Sequence, residues 1–303
     1  MQFVGNPLCL SAITRPEGRD GANGTHLNTP KASRRQKMSR LRSDERRKTL
    51  APKLRSWRAL RELPCFIALS SSAASLVTLP ALWPAQGRLM RIAVIADSHL
   101  SSRSPECVAN WHAARRAVQR LAPDVTVHLG DITLDGQAHP DELNFAADLV
   151  RRWPTPMRCV PGNHDMGDGS GEAPLNEELL SACQEAFGVD RWCMKLPGWQ
   201  LLGINAQLLG TRTPQEDAQW QWTEALAGTA GSDTRTALLL HRPLARVRPD
   251  DPKDRGRYVP APARARLLEG PLKRTLRLVV SGHTHQYLDV VDAGVRHVWM
   301  PSS

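Results

Sequence analysis

Arg91-Ile92-Ala93-Val94-Ile95-Ala96-Asp97-Ser98-His99 is the stretch on which the reading of the chain turns. Ile92 to Ala96 is an uninterrupted apolar run, of strand length rather than helix length, and it ends directly in two side chains able to bind a metal. The same event recurs four times. Asp124 to Leu129 runs into Gly130-Asp131, and Met157 to Val160 runs into Gly162-Asn163-His164-Asp165. Leu238-Leu239-Leu240 meets His241, and Leu278-Val279-Val280 meets Gly282-His283-Thr284-His285.

Helical spacing fills the intervals. Residues 105–121 place Val108, Trp111, Ala114, Val118 and Leu121 on one face, and helices are predicted over 140–152, 174–187 and Arg264 to Leu268. Gln215 to Leu226 reads as an amphipathic helix with Ala218, Trp222, Ala225 and Leu226 facing the core. Further strands are predicted over Trp199 to Asn205, Thr236 to Leu240, Leu276 to Val280, Tyr287 to Val291 and Val295 to Met300. The last three, joined by short turns, are expected to be antiparallel. Alternation of strand and helix predicts an α/β layered fold with a largely parallel sheet in its first part.

In such sheets functional groups gather where loops leave the carboxyl ends of strands. Taken singly, each block has a plainer reading. Asp97 and Asn163 suit turn caps, the glycines suit tight turns, His241 an ordinary strand end, and His283 with His285 a surface pair. Their joint occurrence at five strand ends points to a metal site. His112, His128, His139 and His297 are assigned no role, and Trp111 and Trp222 are expected in the core.

Charge is unevenly spread along the 303 residues. The net charge of +10 would suggest an acidic polymer or membrane partner. Residues 1–89 hold 16 Lys and Arg against 5 Asp and Glu, a net of +11, whereas residues 90–303 hold 24 against 25, a net of −1. The net charge of the part carrying the blocks therefore gives no support to the positive groove that nucleic-acid backbones favour. Residues 1–89 are polar, basic and broken by Pro, Gly and Ser, and are expected to be a disordered extension. An over-extended start upstream of Met90, a targeting segment and a nucleic-acid-binding arm are the alternatives. Cys65 to Trp83 is too short and too rich in Ser to cross a bilayer. Residues 90–303 are expected to form the folded domain. The six cysteines show no C-x-x-C pair, which fits reduced thiols in the cytoplasm.

The ordered set D-x-H, G-D, G-N-H-D, H, G-H-x-H, carried by Asp97 to His285, resembles the calcineurin-like metallophosphoesterase superfamily. The resemblance covers about residues 90–303 and implies a four-layer α/β/β/α sandwich of two mixed sheets flanked by helices. It implies two divalent transition-metal ions (Mn, Fe or Zn), since mixed imidazole and carboxylate shells suit these better than Ca or Mg. Asp97, His99 and His285 would hold the first ion; Asn163, His241 and His283 the second; Asp131 would bridge both. His164 would serve in acid–base catalysis, with Asp165 orienting its ring. Arg103 and Arg242, the arginines nearest the blocks, are candidate substrate contacts. Gly130 to Gly136 and His241-Arg242-Pro243 look like bacterial cyclic-nucleotide phosphodiesterases. The function so implied is hydrolysis of a small phosphodiester by metal-activated water. The alternatives are a phosphomonoesterase or nucleotide pyrophosphatase of the same superfamily, and a non-catalytic scaffold that keeps the sandwich. Relatives of this type often continue past the strand ending at Met300, so an uncovered sheet edge is expected.

Overall fold

The computed structural model describes residues 66–70, 73–78, 90–167, 177–244 and 254–303. Two sheets lie face to face. The first has the order β1-β2-β3-β4-β5, formed by β1 (Phe66–Ser70), β2 (Ala73–Thr78), β3 (Arg91–Ile95), β4 (Val125–His128) and β5 (Met157–Cys159). The strands β3, β4 and β5 are parallel, with Ile92 opposite Val125 and Thr126 opposite Met157. Parallel pairing requires crossovers, supplied by α1 (Pro105–Leu121) and α2 (Asp141–Arg151). A one-turn α3 (Asn163–Met166) and then α4 (Glu177–Phe187) follow β5.

The second sheet comprises β6 (Trp192–Leu196), β7 (Trp199–Gly203), β8 (Arg235–Leu240), β9 (Leu276–Ser281), β10 (Leu288–Asp292) and β11 (Val295–Trp299), in the order β10-β11-β9-β8-β7-β6. Its centre is parallel and its two outer strands, β6 and β10, are antiparallel to their neighbours. The helices α5 (Pro214–Thr229), α6 (Asp254–Arg257) and α7 (Ala261–Glu269) complete the chain order.

The period of two along each strand sorts the core into layers. Ile92, Val94 and Val127 of the first sheet meet Leu201, Leu239, Leu278 and Val280 of the second. Ala93 and Ile95 turn the other way, onto Trp111 and Val118 of α1 and Ala146 of α2. Leu202, Leu238 and Leu240 pack outward against Trp220 and Ala227 of α5 and Ala263 and Leu267 of α7. The fold is therefore the expected α/β/β/α sandwich. No helix among the described residues is long and apolar enough to cross a membrane.

Four local expectations are corrected. The last three strands are not all antiparallel, because β11 inserts beside β9 and runs parallel to it, with Arg296 opposite Leu278. The strand β6 was not foreseen; it starts at Trp192, whose ring lies against Gly203 and whose Nε1–H donates to the Cys159 carbonyl at 2.8 Å. In α5 the buried face carries Glu216, Gln219, Trp220, Thr223 and Ala227, while Ala218 and Ala225 are exposed. Hydrogen bonding explains that exchange: Glu216 accepts from Gly210 N at 2.7 Å and Trp220 Nε1 at 3.0 Å, and Gln219 Oε1 accepts from Asn205 N at 2.8 Å. Trp222 is accordingly only partly buried. Finally, β1 and β2 lie inside the segment read as disordered. The strand β2 pairs antiparallel with β3, Val77 opposite Ile92, so two apolar runs cover the edge that β3 would otherwise present. Residues 1–65, 71–72 and 79–89 lie outside the described residues, as does the start of the helix predicted over 174–187.

Leu239 is fully buried between the sheets. Leu239→Ala is expected to lower unfolding stability by about 2–5 kcal/mol, measured by urea denaturation.

Candidate functional site

Beyond their last paired residues, β3 and β4 remain stitched together. Asp97 N donates to Gly130 O at 3.0 Å, His99 N to Asp131 O at 3.0 Å, and Leu100 N to Ile132 O at 2.7 Å. The chain keeps this contact while turning through left-handed backbone: φ is 55° at Asp97, 45° at His99 and 52° at Asp131. His283 and His285, after β9, have φ of 70° and 54°. Five of the eight non-glycine residues with positive φ among those described are thus candidate ligands. Such conformations cost about 1 kcal/mol or more each and concentrate at functional sites.

These turns bring the predicted residues together in two groups. Asp97, His99, Asp131 and His285 offer ligand atoms that all lie within 4.8 Å of one another, and so do Asp131, His241 and His283. Asp131 belongs to both. Asn163 joins the second group, its Oδ1 lying 3.2 Å from His241 Nε2. The approach depends on small residues: a Cβ on Gly162 would sit 2.2 Å from both the backbone nitrogen and Oδ1 of Asp131. At Gly130, with φ of 95°, it would meet Gly162 N at 2.6 Å.

Hydrogen bonds to carbonyls fix which imidazole nitrogens face inward. His241 Nδ1 is 2.8 Å from the Leu129 carbonyl and His283 Nε2 is 2.9 Å from the Gly256 carbonyl. A carbonyl only accepts, so these nitrogens carry the protons. His241 Nε2 then faces His283 Nδ1 at 3.1 Å, Asn163 Oδ1 at 3.2 Å and Asp131 Oδ2 at 3.2 Å. One N–H proton cannot satisfy three acceptors, but a cation can. In the first group His99 Nε2 and His285 Nε2 are 3.0 Å apart, and His285 Nε2 lies 3.5 Å from Asp97 Oδ1. The donor set of imidazole nitrogens and carboxylate oxygens fits divalent transition metals.

Electrostatics follow from burial opposed by neighbours. Burial alone would raise the Asp131 carboxyl, yet the charge and hydrogen bond of His241 hold it well below the usual carboxylate range. Burial lowers His241, but Asp131 outweighs it and lifts the imidazole to about 9. Burial pushes His99 and His283 down to about 4, which keeps their lone pairs available. His285 is raised, first by its hydrogen bond to Asp97.

His164, the second residue of α3, lies beside the first group. Its backbone N–H donates to Asp131 Oδ1 at 2.9 Å, and its ring stands edge-on to His99 with centroids 4.8 Å apart. The expectation that Asp165 orients this ring is corrected. His164 Nδ1–H donates instead to the Leu134 carbonyl at 2.6 Å. The Asp165 carboxylate, fully buried, accepts from Thr133 N at 2.8 Å, Thr133 Oγ1 at 2.9 Å and Gly162 N at 2.8 Å. It braces the turn that carries His164 and leaves the ring to a main-chain oxygen.

Arg103 is half exposed, and its Nε and Nη2 donate to Glu142 Oε1 at 3.1 and 2.6 Å. It is therefore engaged in the scaffold at the rim. Arg242 is buried directly after His241, and its charge contributes to lowering His283. Glu142 was not foreseen from the sequence. Buried at the start of α2, it also accepts from Ser101 Oγ and, at 2.7 Å, from Asp135 N, fixing the loop whose Leu134 carbonyl holds His164. A lone glutamate in a helix's first turn gives no signal of that role, because its partners come from distant loops.

Two outcomes are expected. Gly162→Ala should displace the Asp131 carboxylate, cost about 1–3 kcal/mol by overpacking and abolish stoichiometric metal uptake, read by thermal unfolding and elemental analysis. Because His241 stays protonated up to about 9, an entering ion must displace a proton. Metal affinity should therefore rise with pH, by about tenfold per unit, and level off above that value. A titration series from pH 6.5 to about 9.5 measures it.

Comparison with known proteins agrees with this geometry. The family model for calcineurin-like phosphoesterases matches residues 90–287. A probable cyclic nucleotide phosphodiesterase of Psychrobacter sp. (strain PRwf-1) is 29% identical over 96 residues, which cover 30% of this chain and 28% of that protein. A dimetal phosphatase from Danio rerio superposes with a TM-score of 0.53 at 15% identity, covering 70% of this chain and 87% of the other. A purple acid phosphatase from yellow lupin (Lupinus luteus) gives 0.52 at 15% identity, covering 73% and 45%. The two structures share the fold; the family model, spanning the five blocks from β3 to Tyr287, carries the assignment. The chain belongs to the calcineurin-like phosphoesterase family.

Proposed function

We propose that this protein hydrolyses a small phosphodiester, with a 3′,5′-cyclic nucleotide as the favoured substrate class, using two divalent ions drawn from Mn, Fe or Zn. The observation that carries this reading is the sharing of Asp131 between the two ligand groups. Asp97, His99 and His285 would hold one ion, Asn163, His241 and His283 the other, and Asp131 both. When bound, such a pair polarises phosphoryl oxygens and lowers the pKa of water.

The chain's own groups supply the rest. Hydrolysis forms one bond from water oxygen to phosphorus and breaks the bond to the leaving oxygen, which must gain a proton. His164 is suited to deliver it from Nε2, because Nδ1–H is tied to the Leu134 carbonyl and the ring cannot turn away without losing that bond. Asp165 acts as a positioning residue through Thr133 and Gly162. The buried Glu142 carboxylate ties Ser101 to Asp135 at the rim.

A diester is preferred to a monoester on the stretches Gly130 to Gly136 and His241-Arg242-Pro243 and on the partial similarity to the Psychrobacter protein. A small substrate is preferred to a polymer because residues 90–303 carry a net charge of −1. Cys107, Cys159, Cys183 and Cys193 are free thiols, which supports a reducing compartment such as the cytoplasm.

The deciding experiment loads the full chain with Mn²⁺ and compares cyclic nucleotides, an aryl diester and an aryl monoester. Diester turnover with about two ions per chain is the expected result; substoichiometric metal with no hydrolysis would show a scaffold instead. His164→Ala should keep its metal while turnover falls by roughly 10²–10⁴, the range for acid–base groups. Asp131→Asn should lose both ions together, read by metal analysis.

A further inference from the structure

His128, to which the sequence assigned no role, is completely buried beneath the metal-ligand loops. It is the last residue of β4, two positions before Gly130 and three before Asp131. Gly130 N–H donates to its Nδ1 at 3.2 Å. Nδ1 is therefore the unprotonated nitrogen, and the proton of the neutral ring lies on Nε2. That N–H points at Ser98 Oγ, 2.8 Å away. Ser98 accepts it and has one proton to give, and Ser303 Oγ lies 2.9 Å away to receive it. Ser303 in turn donates its hydroxyl proton to the Ala96 carbonyl at 2.9 Å, and its N–H to the same oxygen at 3.0 Å. The direction of every bond follows from the first one.

We propose that His128, Ser98 and Ser303 form a positioning relay that sets three ligand-bearing loops against one another. Ser98 sits between the candidate ligands Asp97 and His99, and the Gly130 N–H fixes the turn into Asp131. Ser303 ends on Ala96, directly before Asp97. The segment leading to Ser303 is itself tied to the second sheet, where Met300 N donates to Ser281 O at 2.7 Å, one residue before Gly282-His283. The link matters at the ligands because Asp97 accepts the His283 N–H at 2.9 Å, and a Cβ on Gly282 would stand 2.6 Å from Asp97 Oδ2. Ser98, His128 and Ser303 are all buried, so a broken bond has no water to replace it. Burial also keeps His128 neutral, pushed down to about 3, as the bond directions require.

The relay rests on the two-ion reading, and the test separates the two. Metal-stripped full-length protein is titrated with Mn²⁺, and the visible spectrum of the Co²⁺-loaded form reports ligand geometry. Groups that orient metal ligands typically change affinity by about 10–100-fold. Ser98→Ala and Ser303→Ala should each weaken Mn²⁺ binding within that range and alter the Co²⁺ bands, whereas Ser303→Thr, which keeps the hydroxyl, should restore both. Ser98→Ala with Ser303→Ala should be little worse than Ser98→Ala alone, because the connection passes through Ser98. Unchanged affinity and spectrum in both alanine variants overturn the relay, even if the stripped protein melts earlier, since that would be a role in stability only. Wild-type protein that takes up no stoichiometric Mn²⁺ overturns the two-ion reading and the relay with it.

Discussion

A buried carboxylate surrounded by imidazoles is the constraint that organises this molecule. Asp131 is almost fully removed from water, yet it stays ionised because His241 faces it and His99 and His164 stand near. Its oxygens also accept the His164 backbone N–H and lie against the absent side chain of Gly162. An isolated anion in such surroundings would be expensive, so its imidazole and N–H partners are obligatory. Those partners come from β3, β5, β8 and β9, and they can meet only where parallel strands of both sheets end together.

The sandwich makes that meeting affordable. Five left-handed residues carry a backbone penalty of order 5–10 kcal/mol, similar to the net stability of an ordinary domain. The strain is borne by short loops rooted in strands that are wholly apolar on both faces, such as Ile92–Ile95 and Leu238–Leu240. Loop-to-loop hydrogen bonds keep the turns from relaxing, as between Asp97 and Gly130 and between His99 and Asp131. Core packing thus holds a geometry that the ligand loops would not choose alone.

Most of the layering, and the residues that the two groups bring together, were legible in the sequence, since an apolar run followed by Asp, Asn or His is a local signal. The positive φ values at His99 and His285 were not, because Asp, Asn and His adopt left-handed backbone only where distant contacts require it. The partner of the His164 ring escaped for a related reason: Leu134 contributes a carbonyl, and main-chain atoms leave no mark on residue identity. The face of α5 was misassigned because periodicity counts apolar residues, whereas Glu216 and Gln219 are buried to satisfy backbone N–H groups. The parallel placement of β11 beside β9 depends on which sheet edge is open, a global property that turn length does not encode.

Charge accounts for the kind of substrate that this arrangement suits. Of the seven proposed ligands only Asp97 and Asp131 are anionic; Asn163 and the four histidines bind as neutral groups. Two divalent ions would leave that shell with a net of about +2, concentrated at one point on a domain that is otherwise near neutrality. Of the two arginines that the sequence offered for phosphate contact, Arg103 is held by Glu142 at the rim and Arg242 is buried directly after His241. On the proposed reading, recognition of a phosphoryl group would fall to the two ions and not to an extended basic surface. A compact phosphate ester can use a point charge fully, whereas a polymer gains from many phosphates spread along a groove. The same concentration explains why the loops beneath must be rigid: a point charge stabilises charge developing on a reacting phosphoryl group only when its position is fixed beforehand.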